Sequence, residues 1–175
     1  MKDAPSAARP PAPPLTPAAL ERSALWHLGR RALTTAELRT ALLRKAKRHP
    51  PTPESTAWIE ALLARFASSR LLDDASTARG RVESGRARGW SRRRIEQRLR
   101  GVDAETRADA FAHADDPAAR ADGVTAELAA ARVFVAKKSL RAKPPDKAMA
   151  ALARQGFAYA VAKAALAEPP PEDSP

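Results

Sequence analysis

The stretch GRVESGRARGWSRRRIEQRLRG, from Gly80 to Gly101, joins two short helical patterns at Gly89-Trp90-Ser91. Ser91 is of the N-cap type, because its hydroxyl can accept a hydrogen bond from an otherwise unpartnered amide of the first turn. Ile95 and Leu99 follow at i and i+4 and make one narrow apolar stripe. Arg92, Arg93, Arg94, Arg98 and Arg100 take most of the remaining surface, and Arg81, Arg86 and Arg88 lie just upstream. A helix so short and so basic does not hold its shape alone. It must lay its stripe on neighbouring helices and turn its arginines toward something acidic.

Composition bounds the rest. The 175 residues suffice for one compact domain or several very small ones in a row. Lys and Arg number 31 against 20 Asp and Glu, a formal charge of +11, which points to nucleic acid, an anionic surface or an acidic protein partner. Aromatic residues are 5% of the chain and alanine dominates the apolar fraction, a balance that favours close-packed helices over strands. With no cysteine there is neither a disulfide nor a thiolate metal site. No signal-peptide core and no run of about 20 apolar residues is present, so the expectation is a soluble cytoplasmic protein with no membrane segment.

In chain order, prolines crowd residues 1–16, which read as a disordered Pro/Ala-rich arm. Thr16-Pro17 then reads as an N-cap with proline at the first helical position, followed by Leu20, Ala24, Leu25 and Leu28 at helical spacing. Thr34 and Glu37 have capping-box spacing ahead of Leu38, Leu42 and Leu43. After Pro50, Pro51 and Pro53, a helix from about Glu54 carries Ile59, Leu62, Leu63 and Phe66 at i, i+3, i+4 and i+7. Asp73-Asp74 offers another start, for a helix through Ala78 and Val82 into the basic stretch; Asp103 restarts the chain toward Ala110 and Phe111. Asp115-Asp116-Pro117 opens the next segment, and a long helix is expected from about Asp122 to Arg141 with Val124, Leu128 and Val135 on one face. A short helix with Ala148 and Leu152, the turn Gly156-Phe157 and a helix with Val161 and Leu166 complete the chain before a disordered acidic, Pro-rich tail at 168–175.

The same unit recurs three times, at a spacing of roughly 50 residues. The short helices align as Leu38/Leu42, Ile95/Leu99 and Ala148/Leu152, and the turns after them as Ala46, Gly101 and Gly156. The expected fold class is therefore all-α: three tandem three-helix repeats at 17–72, 73–116 and 117–167, in an elongated array able to curve. Such an array suits a long, grooved partner better than a small-molecule substrate.

The middle of the chain, through Leu71-Leu72-Asp73-Asp74, Ala78-Arg79 and Ser84 to Arg100, resembles the second repeat of the RecX family, bacterial regulators of the RecA recombinase. The first repeat is similar through Ala24-Leu25, Leu28, Arg31, Thr34, Glu37-Leu38, Leu42 and Lys45. The third is similar through Ala131, Lys137-Lys138 and Leu152-Ala153-Arg154-Gln155-Gly156-Phe157. The resemblance spans about Ala18 to Leu166. It implies three tandem three-helix repeats and a non-enzymatic regulator; a monomer without a cofactor is the expectation for this chain. Such a protein binds the RecA–DNA filament and modulates its ATPase, strand exchange and SOS-related activity, with inhibition the favoured direction.

The candidate partner-binding residues are Arg44, Lys45, Arg86, Arg88, Arg92, Arg93, Arg94, Lys137, Lys138 and Arg154. Guanidinium and ammonium groups can meet phosphates or the carboxylates of an acidic protein, so the alternative of a basic helical-repeat protein that binds DNA or RNA directly stays open. A third reading is a structural helical adaptor. Trp26, Trp58 and Trp90 read as packing residues, and Gly89 and Gly156 as helix ends with positive φ. His27, His49 and His113 stand apart, with no Glu or second His at metal spacing. No phosphate loop, placed carboxylate pair or nucleophile elbow appears, so no catalytic residue is expected.

Overall fold

Thr16 begins the first helix: its hydroxyl accepts the Ala19 N–H at 3.2 Å, and Pro17 sits at the first position, where a missing amide costs nothing. The computed structural model describes residues 13–115 and 125–167. The parts of the expected arm and tail at 1–12 and 168–175, and the expected Asp116-Pro117 and Asp122–Val124 openings, lie outside the described residues. Among the described residues every regular element is helical and none is a strand.

The chain divides into two compact units, Met1–Asp73 and Asp74–Pro175. The first holds α1 (Pro17–Leu28), α2 (Thr35–Ala46) and α3 (Ser55–Ser68). Thr34, fully buried, closes a capping box: its hydroxyl accepts the Glu37 N–H at 3.3 Å and the Glu37 carboxylate accepts the Thr34 N–H at 3.0 Å. Leu20, Leu38, Leu42, Ile59 and Phe66 meet in one core, with Trp58 packed on its edge. Arg39 donates twice to Glu60, at 2.8 and 2.6 Å, and ties α2 to α3. That bond raises the Arg39 pKa. In so exposed a pair it is worth at most about 1 kcal/mol.

Trp26 corrects one expectation, for it is 58% exposed, with the Arg30 guanidinium 4.8 Å from its ring and His27 edge-on at 4.9 Å. Leu20, Ala24 and Leu28 already form the inward stripe of α1. Trp26 lies two positions past Ala24, roughly 200° around a helix that turns 100° per residue. Leu25, also 46% exposed, falls off the same stripe.

The second unit holds six helices among the described residues. In α4 (Asp74–Ala87), α5 (Arg92–Arg98) and α6 (Ala104–Ala114), the residues Ala78, Val82, Ile95, Leu99, Ala110 and Phe111 share one core. In α7 (Ala126–Lys137), α8 (Pro145–Gln155) and α9 (Tyr159–Ala167), the residues Ala131, Val135, Leu152, Phe157 and Ala165 share another. Asp103 caps α6 by accepting the Thr106 N–H at 2.8 Å, which holds its carboxyl below the ordinary aspartate range. The helix expected to run to Arg141 ends at Lys137, because Ser139 turns left-handed at φ 48° and a short 3₁₀ turn, Leu140–Ala142, follows. The division between the units lies between Asp73 and Asp74, one residue beyond the expected repeat end at 72, and the chain from Asp74 on forms one unit.

Within that unit α4 packs on α7, and the turn leaving α4 presses against the α7 backbone. Gly89 is at φ +75°, and a Cβ there would stand 2.6 Å from the Phe134 amide nitrogen and 3.0 Å from the Ala130 carbonyl oxygen. Backbone atoms cannot step aside as a side chain can, so this position demands glycine on both conformational and steric grounds. Gly89→Ala is expected to destabilise the protein by at least roughly 1–3 kcal/mol in urea unfolding followed by circular dichroism. Gly80→Ala, in the interior of α4 with nothing within 4 Å of the new methyl, is expected to raise stability by up to about 1 kcal/mol.

Candidate interaction surface

Helix α5 is one short stretch of seven residues that opens with three arginines, and other elements hold it in place. Ser91, fully buried, accepts the Arg94 N–H at 3.2 Å, while its hydroxyl donates to the Gln155 carbonyl oxygen at the end of α8. One hydroxyl thus caps α5 and pins it to the last turn of α8, a link across 64 residues of sequence. Glu127, in the first turn of α7, completes the hold: both of its carboxylate oxygens lie 3.1 Å from the Arg92 amide nitrogen.

Glu127 also receives the Arg86 guanidinium, which reaches Asp115 at 3.1 Å as well. The Arg86 side chain is only 11% exposed. Its charge is paired within the protein, joining α4 to the end of α6 and the start of α7.

The other expected binding residues separate into groups. Arg44, exposed, and Lys45, half-buried, close α2 in the first unit. Trp90 is half-buried, and the guanidiniums of Arg94, Arg98 and Arg88 lie 4.8, 5.3 and 5.5 Å from its ring. Each such contact contributes about 0.5–1 kcal/mol at an exposed site. Arg92 lies 4.4 Å over Phe111 and pairs with Glu96 at 3.0 Å. Lys137 donates to the Ala87 carbonyl oxygen at 2.9 Å and so fastens the end of α7 to the end of α4. Lys138, exposed, is the C-cap residue of α7.

Arg93, Arg94 and Arg154 come together. With Gln97, Ala153, Gln155 and Gly156 they line a cleft of about 400 Å³ between α5 and the end of α8. Arg94 donates to the Gln155 side-chain oxygen and is thereby fixed in direction. Gly156, at φ +91°, leaves room for Arg93: a Cβ there would stand 3.0 Å from the Ser91 hydroxyl and 3.3 Å from Arg93 Cβ and Cδ. No carboxylate lines this cleft.

Sequence reasoning missed Glu127, Asp115 and Gln155, since their partners lie 29 to 64 residues away and no local pattern marks them. Among the described residues no group of three His, Cys, Asp or Glu could hold a metal ion, and no helix is long and apolar enough to cross a membrane.

These features define an all-helical protein whose cationic surface is assembled where one helix group packs on another. The chain is 36% identical over 165 residues to the regulatory protein RecX of Myxococcus xanthus (strain DK1622), covering 85% of this chain and 84% of that protein. It is 30% identical over 158 residues to the regulatory protein RecX of Agrobacterium fabrum (strain C58), covering 83% of this chain and 80% of that one. The chain belongs to the RecX family of regulatory proteins. No family model and no solved structure matches it.

Removing the Glu127 carboxylate is expected to unfasten α5. Glu127→Ala strands part of the Arg86 charge and the Arg92 amide, and is expected to cost about 1–3 kcal/mol in chemical denaturation. Glu127→Gln keeps an acceptor for the amide and is expected to cost less. Trp90 lies at the head of α5, so a shift in tryptophan emission is expected to accompany the destabilisation.

Proposed function

We propose that this protein binds the filament that a RecA-type recombinase forms on DNA and lowers its ATP hydrolysis and strand exchange. The observation that carries the proposal is the convergence of Arg93, Arg94 and Arg154, from helices about 60 residues apart, on one cleft without a carboxylate. A helix face that was merely solvated would not gather cations from separate elements, since like charges repel. Membership in a family whose members are named regulatory proteins supports a role in control and not in catalysis.

The mechanism is occupancy. The protein lies along the filament and blocks access of a second DNA or a protein substrate. Arg44 and Lys45 contribute from the first unit, and Arg88, Arg93, Arg94, Lys138 and Arg154 from the second. Weak contacts from two linked units add through effective concentration, so no single contact need be strong. Arg86 and Lys137 serve by positioning the helices that carry the others. The protein acts as a monomer in the cytoplasm and takes no cofactor.

Steady-state ATP hydrolysis by the recombinase on single-stranded DNA tests this. Substoichiometric inhibition, with a matching fall in strand exchange, is the expected outcome. The variant Arg44→Ala/Arg88→Ala/Lys138→Ala, all outside the cleft, is expected to keep its helicity, because alanine favours helix. It is expected to need roughly tenfold more protein for the same inhibition, equivalent to about 1.4 kcal/mol over three rim charges. A folded protein that shifts naked DNA yet leaves the recombinase unaffected would establish direct nucleic-acid binding in place of filament regulation.

A further inference from the structure

We infer that the cleft between α5 and the end of α8 is a phosphodiester-binding site, through which the protein grips a nucleic-acid strand by its backbone without reading its sequence. The inference rests on the filament reading only in naming DNA as the strand.

The cleft presents donors. Several of its acceptors are already used: the Gln155 carbonyl takes the Ser91 hydroxyl, the Gln155 side-chain oxygen takes Arg94, and the Ala153 and Leu152 carbonyls take the Gly156 and Phe157 amides. The charged groups that line the cleft are all guanidiniums, beside the Gln97 amide. Arg39, Arg65, Arg86 and Arg92 each have a carboxylate partner. Neither Arg93 nor Arg154 has one among the described residues, and Arg94 meets only a neutral amide. Two guanidiniums without counter-charge beside a third that is fixed in direction make a preorganised anion site, and forked donors match phosphate oxygens.

The lining favours a phosphate strand over an acidic protein. A protein interface carries an apolar, aromatic-rich centre, whereas nucleic-acid interfaces are polar and positively charged. Here the only side chain without a polar atom is the Ala153 methyl. A cleft of about 400 Å³ is also larger than one carboxylate requires. Trp90, two residues before the start of α5, has three guanidiniums within 5.5 Å of its ring and is not presented as a base-stacking platform. Backbone contact without stacking or base-edge contact positions a strand and carries no sequence information.

The test is fluorescence anisotropy of the full chain with labelled single-stranded oligonucleotides of several sequences, over a range of salt. For the wild type, the logarithm of affinity is expected to fall linearly with the logarithm of salt, with the same slope for every sequence. In Arg93→Ala/Arg154→Ala the slope is expected to shrink by about 1.4, roughly 0.7 for each phosphate of a single strand that is no longer neutralised. Arg93→Lys/Arg154→Lys, which keeps both charges, is expected to restore most of it. Circular dichroism of both variants is expected to match the wild type, since Arg93 and Arg154 are exposed. An unchanged slope in the alanine variant, or no salt-dependent DNA binding by the wild type, would overturn the inference. So would an unchanged slope in a variant that no longer binds polyglutamate, which would assign the cleft to an acidic protein. A wild type that binds DNA through these arginines but leaves recombinase ATP hydrolysis untouched would remove the filament reading and keep the cleft.

Discussion

The carboxylate of Glu127 is the contact on which the second unit depends. A helix carries partial positive charge at its N-terminus, so cations there are unfavourable and anions favourable. Helix α5 begins Arg92-Arg93-Arg94, the reverse of what its own dipole prefers. The needed anion comes from elsewhere: Glu127 of α7 sits against the first amide of α5 and accepts Arg86 of α4 at the same time. Three helices are thereby held by one side chain, and the acid at the N-terminus of the arginine-rich helix is supplied by another element.

That arrangement sorts the arginines into two kinds. Arg86 is drawn inward, and Arg92 is shared between Glu96 and the Phe111 ring. Arg88, Arg94 and Arg98 gather around Trp90, whose ring presents a negative face to a cation. Arg93 and Arg154 have no carboxylate partner among the described residues, and they line the same cleft. Part of the cationic charge is therefore paired within the fold, and part is gathered at one seam between α5 and α8.

Local patterns in the sequence carried the helix starts. Thr16-Pro17, the Thr34/Glu37 box and Ser91 all act as their types suggest, because capping is decided within four residues. The i, i+3, i+4, i+7 run from Ile59 to Phe66 is buried throughout for the same reason. Misreadings arose where a pattern admitted two faces or where the deciding contact was distant. Trp26 lay close in sequence to Ala24 and Leu28 but off their stripe. Arg86 looked like its neighbours Arg88 and Arg92 because Asp115 and Glu127 are invisible to any local window. Arg93 and Arg154 could each be named as cations, whereas their meeting depends on Ser91, Gly89 and Gly156, which set how closely the helices approach.

That dependence bears on how such a surface could work. Charges at an exposed rim are screened within roughly 10 Å at moderate salt and contribute little one by one. A grip made of them is reversible unless several act together from a fixed geometry. The geometry here is fixed by groups that never reach the ligand: the Ser91 hydroxyl, the Glu127 carboxylate and two left-handed glycines. Binding strength and fold stability are thus carried by different residues in the same seam. The exposed arginines can change the former with little cost to the latter, while a change in Glu127 or Gly89 must disturb both.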